Sequence, residues 1–205
     1  MTTAFQNVID NATTISISKR KKVGTSIARD GTVKATSLGG QTWQFEVNLP
    51  SGPRYSTYRT FLEQIEALDR TTVGQIQFNA AGHDYISEYR GNVSTPNGII
   101  VQYTSGNTVT ITGGIGGLSS GYIFRTGDLI QLGTNGSVYS VVDDVPWNQT
   151  TVTLHRPVRE DPDSYFVRVG PSCVFDVICV NFPDWTIWGY DQIRWSGPFV
   201  FAEAL

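Results

Sequence analysis

The sequence predicts a mainly β protein of the α+β class, in which an antiparallel sheet carries one packed amphipathic helix and is accompanied by a small β-barrel or sandwich. Three observations support this fold class. Residues 43–49 alternate between apolar and polar side chains, residues 58–68 repeat apolar side chains with helical spacing, and most of the remaining chain consists of short strand patterns separated by turn signals.

The length of 205 residues suits one large β-rich domain or two small ones. We expect an N-terminal region, residues 1–98, with a β-meander and a strand-helix-strand unit. Residues 99–205 are expected to form an antiparallel β-barrel or sandwich. The two regions could also form one continuous domain.

The strand-helix-strand unit begins with the alternating residues 43–49, whose large apolar side chains fall on one face of a strand. A helix is predicted over residues 57–70, with Ser56 or Thr57 as its cap, and a further strand over 75–78. The apolar stripe of the helix, expected to pack on a sheet, is Tyr58, Phe61, Leu62, Ile65 and Leu68. Helix content should be well below average and largely confined to this segment, since residues 1–12 show no clear element.

A basic run follows the first predicted strand, residues 15–18, and consists of Lys19, Arg20, Lys21 and Lys22. It precedes a hairpin with the turn dipeptide Asp30-Gly31. A solvated strand end is the favoured interpretation, because the whole chain is acidic; an address signal or a nucleic-acid contact are the alternatives.

Residues 99–158 contain repeated hairpin signals. Strands are predicted at 99–103 and 108–112, then at 127–132 and 138–142 around an Asn-Gly turn, and finally at 152–156. Leu129, Val141 and Leu154 are the predicted core residues of this part, whereas His155 is expected to face solvent.

Composition and charge restrict the function. The formal charge of −3 argues against a protein that binds nucleic acid by neutralising phosphates. No segment has the length of a membrane span or the pattern of a signal peptide, so we expect synthesis in the cytoplasm and no membrane partner. Cys173 and Cys179 lie in one strand-like segment and are expected to be buried thiols.

The C-terminal forty residues are rich in aromatic side chains, among them Trp185, Trp188, Trp195, Phe199 and Phe201. Aromatic clusters can bind sugars or nucleic-acid bases, but they also fill β-cores and subunit interfaces. Core and interface therefore both remain open for these residues.

The element order resembles that of distal-tail and baseplate-hub-type structural proteins of tailed bacteriophages. The resemblance covers residues 20–205 and rests on short patterns: Trp-Gln-Phe at 43–45, Gly-Asp at 127–128 and Ser-Gly-Pro-Phe at 196–199. It implies a virion protein of the tail, which forms a ring, expected to be a hexamer, and contacts adjoining tail-tube and baseplate proteins. The family has no catalytic motif to transfer, and no cofactor or metal is expected.

Three functions remain as hypotheses. The first is the tail structural protein, whose candidate interface residues are Lys19, Arg20, Lys21, Lys22, Trp185, Trp188, Trp195, Phe199 and Phe201. The second is a carbohydrate-binding module for host recognition, favoured if the three tryptophans are exposed and coplanar. The third, a hydrolase, lacks paired carboxylates and a nucleophile with a base, so we expect no enzymatic activity.

Overall fold

The computed structural model describes residues 4–19, 23–29, 31–37, 40–68, 71–80, 82–160 and 163–204. Strands make up 41% and helices 15% of the structure. The predicted mainly β fold class is therefore confirmed, and so is a helix content well below the average for globular proteins.

The helices of the described ranges are two α-helices and three short 3-10 helices. They are α1 (Ala4–Asp10), α2 (Tyr55–Ala67) and the 3-10 turns Asp84–Ile86, Pro96–Gly98 and Gly170–Ser172.

The strands of the described ranges are all short, with seven residues in the longest. They are β1 (Thr14–Ser18), β2 (Val23–Ile27), β3 (Val33–Ser37), β4 (Gln44–Asn48), β5 (Gly74–Ile76), β6 (Ile100–Ser105), β7 (Thr108–Gly113), β8 (Tyr122–Phe124), β9 (Leu129–Leu132), β10 (Val138–Ser140), β11 (Val145–Pro146), β12 (Thr151–Thr153), β13 (Ser164–Val169), β14 (Phe175–Asn181), β15 (Trp185–Trp188), β16 (Gln192–Trp195) and β17 (Phe199–Glu203).

The chain forms two compact units. Unit 1 contains Met1–Gly74 and Val177–Ala204, and unit 2 contains Gln75–Asp176. The predicted regions 1–98 and 99–205 have different limits, because the chain returns to unit 1 for its last strands. The first half of the chain therefore does not build a unit alone.

Unit 1 contains most of a five-stranded sheet with the order β1-β4-β17-β14-β5. The alternating segment predicted over 43–49 is β4, and its odd-numbered side chains are buried as the period of two requires. β4 lies between β1 and the C-terminal strand β17, antiparallel to both, with Phe45 opposite Phe201. The centre of the sheet thus pairs residues that are 156 positions apart.

Helix α1 lies in the segment for which no element was predicted. Ala4, Phe5, Val8 and Ile9 are buried, and the ring of Phe5 is 5.2 Å from that of Phe201. The spacing of Phe5, Val8 and Ile9 is helical, which is the signal that could have revealed the helix. At seven residues α1 is too short to be stable alone, so its packing in unit 1 accounts for its formation.

Helix α2 confirms the predicted apolar stripe, since Phe61, Leu62 and Ile65 are buried. Its limits differ from the prediction: it begins at Tyr55 and ends at Ala67, and residues 69 and 70 lie outside the described residues. The N-cap is Arg54, which makes no side-chain capping bond. The predicted cap at Ser56 or Thr57 is therefore wrong.

Unit 2 contains a six-stranded sheet with the order β10-β9-β13-β6-β7-β12. The sheet curls until its two edge strands meet, with Val141 bridged to Leu154. The Val142 N–H donates to the Thr153 carbonyl at 2.9 Å, and the His155 N–H donates to the Ser140 carbonyl at 3.0 Å. These bonds join the edges of the sheet, as in a barrel.

The predicted core residues of unit 2, Leu129, Val141 and Leu154, are buried, which confirms that prediction. The prediction for His155 is wrong, because its side chain is half-buried and its Nδ1 accepts a hydrogen bond from the Ser140 N–H at 3.0 Å. His155 is the residue directly after Leu154, which forms the bridge between the two sheet edges. Strand alternation alone does not predict that the joined edges partly bury its side chain.

Both cysteines are buried free thiols, as predicted. Burial raises the pKa of the Cys173 thiol above its ordinary value, and the thiol donates a weak hydrogen bond to the Arg168 carbonyl. A buried thiol with a raised pKa is a poor nucleophile, so we interpret Cys173 as a packing residue.

Candidate functional site

The aromatic segment of the C-terminal region is a hairpin, β15–β16, in which Trp185 lies opposite Trp195 and Ile187 opposite Ile193. Two main-chain bonds tie it to the turn before α2: the Gly52 N–H donates to the Ile193 carbonyl, and the Ile193 N–H donates to the Pro53 carbonyl. The hairpin is therefore held against the turn that leads into α2.

The turn of this hairpin also caps helix α2. The carboxylate of Asp191 accepts hydrogen bonds from the Ser56 N–H at 3.1 Å and from the Ser56 hydroxyl at 2.7 Å, and the Asp191 carbonyl accepts one from the Tyr55 N–H. These bonds satisfy N–H groups of the first helical turn and place a negative charge at the positive end of the helix. Asp191 does this with a φ of 65°, a left-handed conformation that a non-glycine residue rarely adopts.

The three tryptophans do not form one flat platform. Trp185 and Trp195 lie opposite each other, whereas Trp188 is three residues beyond Trp185 and so projects from the other face of the hairpin. Trp185 stacks on Tyr55 at 5.5 Å, and its Nε1 donates to a carboxylate oxygen of Glu66 at 3.1 Å. This ring is therefore engaged within unit 1.

Trp195 is engaged in a similar way. Its Nε1 donates to the Pro50 carbonyl at 3.2 Å, and its ring meets that of Phe199 edge-on at 5.4 Å. Trp188 is different, since 59% of it is exposed, and its neighbours Ile187 and Tyr190 are exposed as well. Of the three tryptophans, Trp188 is the one that the structure leaves on the surface.

Phe199 and Phe201 are core residues, which corrects their assignment as candidate interface residues. Both are completely buried, and their rings are nearly parallel at a centroid distance of 6.5 Å. Their strand, β17, lies between β4 and β14 in the centre of the sheet, so alternate side chains point into the core. The apolar C-terminal strand thus completes the sheet of unit 1.

Of the basic run, Lys19 is described, and Arg20, Lys21 and Lys22 lie outside the described residues. Lys19 is half-buried, with its Nζ 5.0 Å from the centre of the Trp43 ring. Burial lowers the pKa of this ammonium group from its ordinary value. Lys19 therefore packs on an aromatic ring of unit 1.

The hairpin β2–β3 is a two-stranded sheet of its own, with five residue pairs from Val23↔Ser37 to Ile27↔Val33. The side chains of residues 25–27 and 33–36 are exposed. Ile27 and Val33 face each other across the strands, and they are 76% and 63% exposed. An isolated two-stranded hairpin is marginally stable in water, and this one pairs with no other strand of the described residues.

Strand β1 is the second open feature of unit 1. It lies at the edge of the five-stranded sheet and pairs on one side, with β4. Its residues are exposed except for the half-buried Ile15, and Ile17 is 37% exposed. An edge strand with unpaired N–H and C=O groups can add a strand from another chain.

Sequence reasoning found the β2–β3 hairpin but missed its exposed apolar pair. The available signal was composition: Val-Gly-Thr-Ser-Ile and Val-Lys-Ala-Thr-Ser contain few large apolar side chains. Strands of this kind bury little apolar area, which agrees with the exposure of Ile27 and Val33.

The described part of the chain shows no group of three or more His, Cys, Asp or Glu side chains that could hold a metal ion. In the same part, no helix has the length and apolar character needed to cross a membrane.

Comparison with models of protein families found no match to this chain, and comparison with curated proteins found none either. The features of unit 1 that bear on function are therefore the edge strand β1, the hairpin β2–β3 and the exposed apolar side chains.

Proposed function

We propose that this chain is a structural protein of a bacteriophage tail, which forms a ring with copies of itself at the distal end of the tail tube and links the tube to the baseplate. The sequence resemblance supplies the location in the virion and the expectation of a hexamer. The observation that carries the assembly itself is the unsupported hairpin β2–β3.

The hairpin supports assembly because its side chains at residues 25–27 and 33–36 are exposed. Its outer pair, Ile27 and Val33, is apolar and exposed in unit 1, so a second chain could bury it with a gain from the hydrophobic effect. A two-stranded hairpin is marginally stable by itself, and packing against a neighbouring chain would stabilise it.

The edge strand β1 supplies a second, different surface in the same unit. When one surface of a subunit binds a different surface of the next copy, the contact is heterologous, and a suitable rotation closes the chain of subunits into a ring. The hairpin and the β1 edge are two different surfaces of unit 1, so they suit a contact of this kind. The exposed Trp188 with Ile187 and Tyr190 is a further candidate contact for adjoining tail proteins.

The test compares the oligomeric mass of the full chain with that of the double variant Ile27→Lys, Val33→Lys at micromolar concentration. We expect the unaltered chain to form a ring and the variant to remain monomeric, because two buried ammonium groups would oppose the contact. Thermal melting should be nearly unchanged, since both side chains are exposed.

Val73→Lys is the matched control, because Val73 is also an exposed apolar residue of unit 1 but lies outside the hairpin. It should assemble like the unaltered chain. A full chain that stays monomeric alone and with tail proteins from the same particle would contradict the proposal, and so would a hairpin variant that assembles normally.

A further inference from the structure

Unit 2 contains a cavity of about 370 Å³, which is lined by Arg90, Arg125, Thr126 and Asp144. Its volume lies within the usual range for small-molecule sites. It has no part in the assembly surfaces described above, which belong to unit 1.

The guanidinium of Arg125 is held in place from two sides. Its Cζ lies 3.7 Å from the centre of the Tyr122 ring, a cation–π contact, and its Nη1 donates to Asp144 at 3.2 Å. The other carboxylate oxygen of Asp144 accepts from the Thr126 N–H at 2.8 Å and from the Thr126 hydroxyl at 3.0 Å. These bonds lower the pKa of Asp144, so it is ionised at neutral pH and orients Arg125.

The second guanidinium, that of Arg90, is also positioned by the loop. It donates to the Thr126 carbonyl, and its Nε lies 3.8 Å from the carboxylate of Asp128. A Cβ at Gly127 would lie 3.0 Å from Arg90 Nη2, and Gly127 has a φ of 95°. Glycine at this position therefore serves both the turn and the close approach of the arginine.

Asp128 fixes the two arginines at the level of the backbone. Its carboxylate is buried and accepts hydrogen bonds from the Arg90 N–H at 3.1 Å and the Arg125 N–H at 2.8 Å. Burial is the main reason that the pKa of Asp128 is raised. The two arginines are thus held close together, although their like charges repel each other.

The lining of the cavity carries two guanidinium groups and one carboxylate, and the carboxylate of Asp128 lies behind Arg90. The side-chain bonds described above use only part of the N–H donors of each guanidinium. Both side chains are about half exposed, at 55% for Arg90 and 42% for Arg125, so the cavity is open to a ligand.

We propose that this cavity binds an oxyanion group, a carboxylate, phosphate or sulfate, carried by a small ligand. Paired arginines recognise such groups because their planar forks of N–H donors match two oxygens at once. A site whose donors are already oriented loses little side-chain freedom on binding. The site shares no residue with the proposed assembly surfaces, since it lies within unit 2 and they lie in unit 1.

The test is a titration of the full chain with inorganic phosphate, with glucuronate and, as a neutral comparison, with glucose, followed by NMR of the arginine Nε–H signals. We expect saturable shifts of the Arg90 and Arg125 signals with at least one anion and none with glucose. Tighter binding of phosphate indicates a phosphorylated ligand, and tighter binding of glucuronate indicates a sugar acid. Binding should weaken as salt is added.

Arg90→Gln and Arg125→Gln should each weaken anion binding by about tenfold or more, because a charge-assisted pair of bonds is lost. Arg159→Gln is the matched control, since it changes the charge of unit 2 equally at an exposed side chain that does not line the cavity. Arg125→Lys keeps the charge and the partner Asp144 but removes the planar fork, and should bind more weakly than the unaltered chain.

Amide spectra of each variant show whether unit 2 is still folded, and the comparison uses those variants that are. The absence of saturable shifts with every anion in the folded, unaltered chain would overturn the proposal. Equal weakening by Arg159→Gln would also overturn it, because the effect would then reflect net charge instead of the cavity.

Discussion

The two units differ in whether the outer strands of their main sheets are paired. In unit 2 the outer strands β10 and β12 of the six-stranded sheet meet through the Val141–Leu154 bridge. In unit 1 the strand β1 remains an open edge, and the hairpin β2–β3 pairs only with itself among the described strands. Unpaired edges are usually protected in proteins that act alone, so their presence in unit 1 indicates where a partner is expected.

This difference suggests a division of roles. In unit 2 the outer strands of the six-stranded sheet pair with each other, and the unit offers a polar cavity with two arginines, which suits a small ligand. Unit 1 presents strands and apolar side chains, which suit another protein chain. The proposals for the two units can therefore be tested separately, and three further substitutions examine the comparison itself.

Phe201→Ala should have the largest effect on stability. Phe201 is completely buried and packs against the rings of Phe5 and Phe199, so its removal leaves a cavity in the core of unit 1 and should cost about 3–5 kcal/mol. Denaturant unfolding of the variant measures this loss. Trp188→Ala is the control, because Trp188 is largely exposed, and it should change the unfolding free energy by less than about 0.5 kcal/mol. Equal effects would mean that the aromatic residues of unit 1 are not divided between core and surface.

Val142→Pro should open the joined edges of unit 2. Proline has no N–H, so the bond from Val142 to the Thr153 carbonyl is lost, and we expect a cost of about 1–3 kcal/mol. Hydrogen exchange at β10 and β12 should increase in parallel. Val142→Ala keeps the N–H and removes only a partly exposed side chain, so faster exchange in both variants would exclude the hydrogen bond as the cause.

Asp191→Ala should have the smallest effect, about 0.5–2 kcal/mol, because it removes the carboxylate that caps helix α2. Thermal melting and the helical circular dichroism signal measure it. Asp191→Asn keeps an oxygen acceptor and tolerates the left-handed conformation, so it should lose less than the alanine variant. An equal loss in the two variants would show that the charge of Asp191, which both remove, and not its bonds to Ser56, is decisive.

The pattern of residues predicted those parts of the fold that depend on local periodicity. The alternation in 43–49 is β4, the stripe through Phe61 and Ile65 is the buried face of α2, and the Asn-Gly turn joins β9 to β10. Local patterns also indicated a β-rich chain with little helix. These features follow from which side chains share a face, and that is a property of the sequence alone.

Other features depend on partners that are distant in sequence. The cap of α2 comes from Asp191, which lies 135 residues after Ser56, so no local cap signal could have revealed it. The burial of Phe199 and Phe201 was left open between core and interface, because periodicity shows that a face is apolar but not what covers it.

The sequence by itself determined the mainly β class, the amphipathic helix and the buried thiols, since residue spacing and apolar character decide these locally. Three features were decided only by the tertiary structure. The last strand, β17, belongs to unit 1, the two edge strands of the six-stranded sheet in unit 2 are bridged, and Arg90 and Arg125 line one cavity. The physical reason is that strand order and cavities arise from pairing between distant segments, and many pairings satisfy the same local pattern.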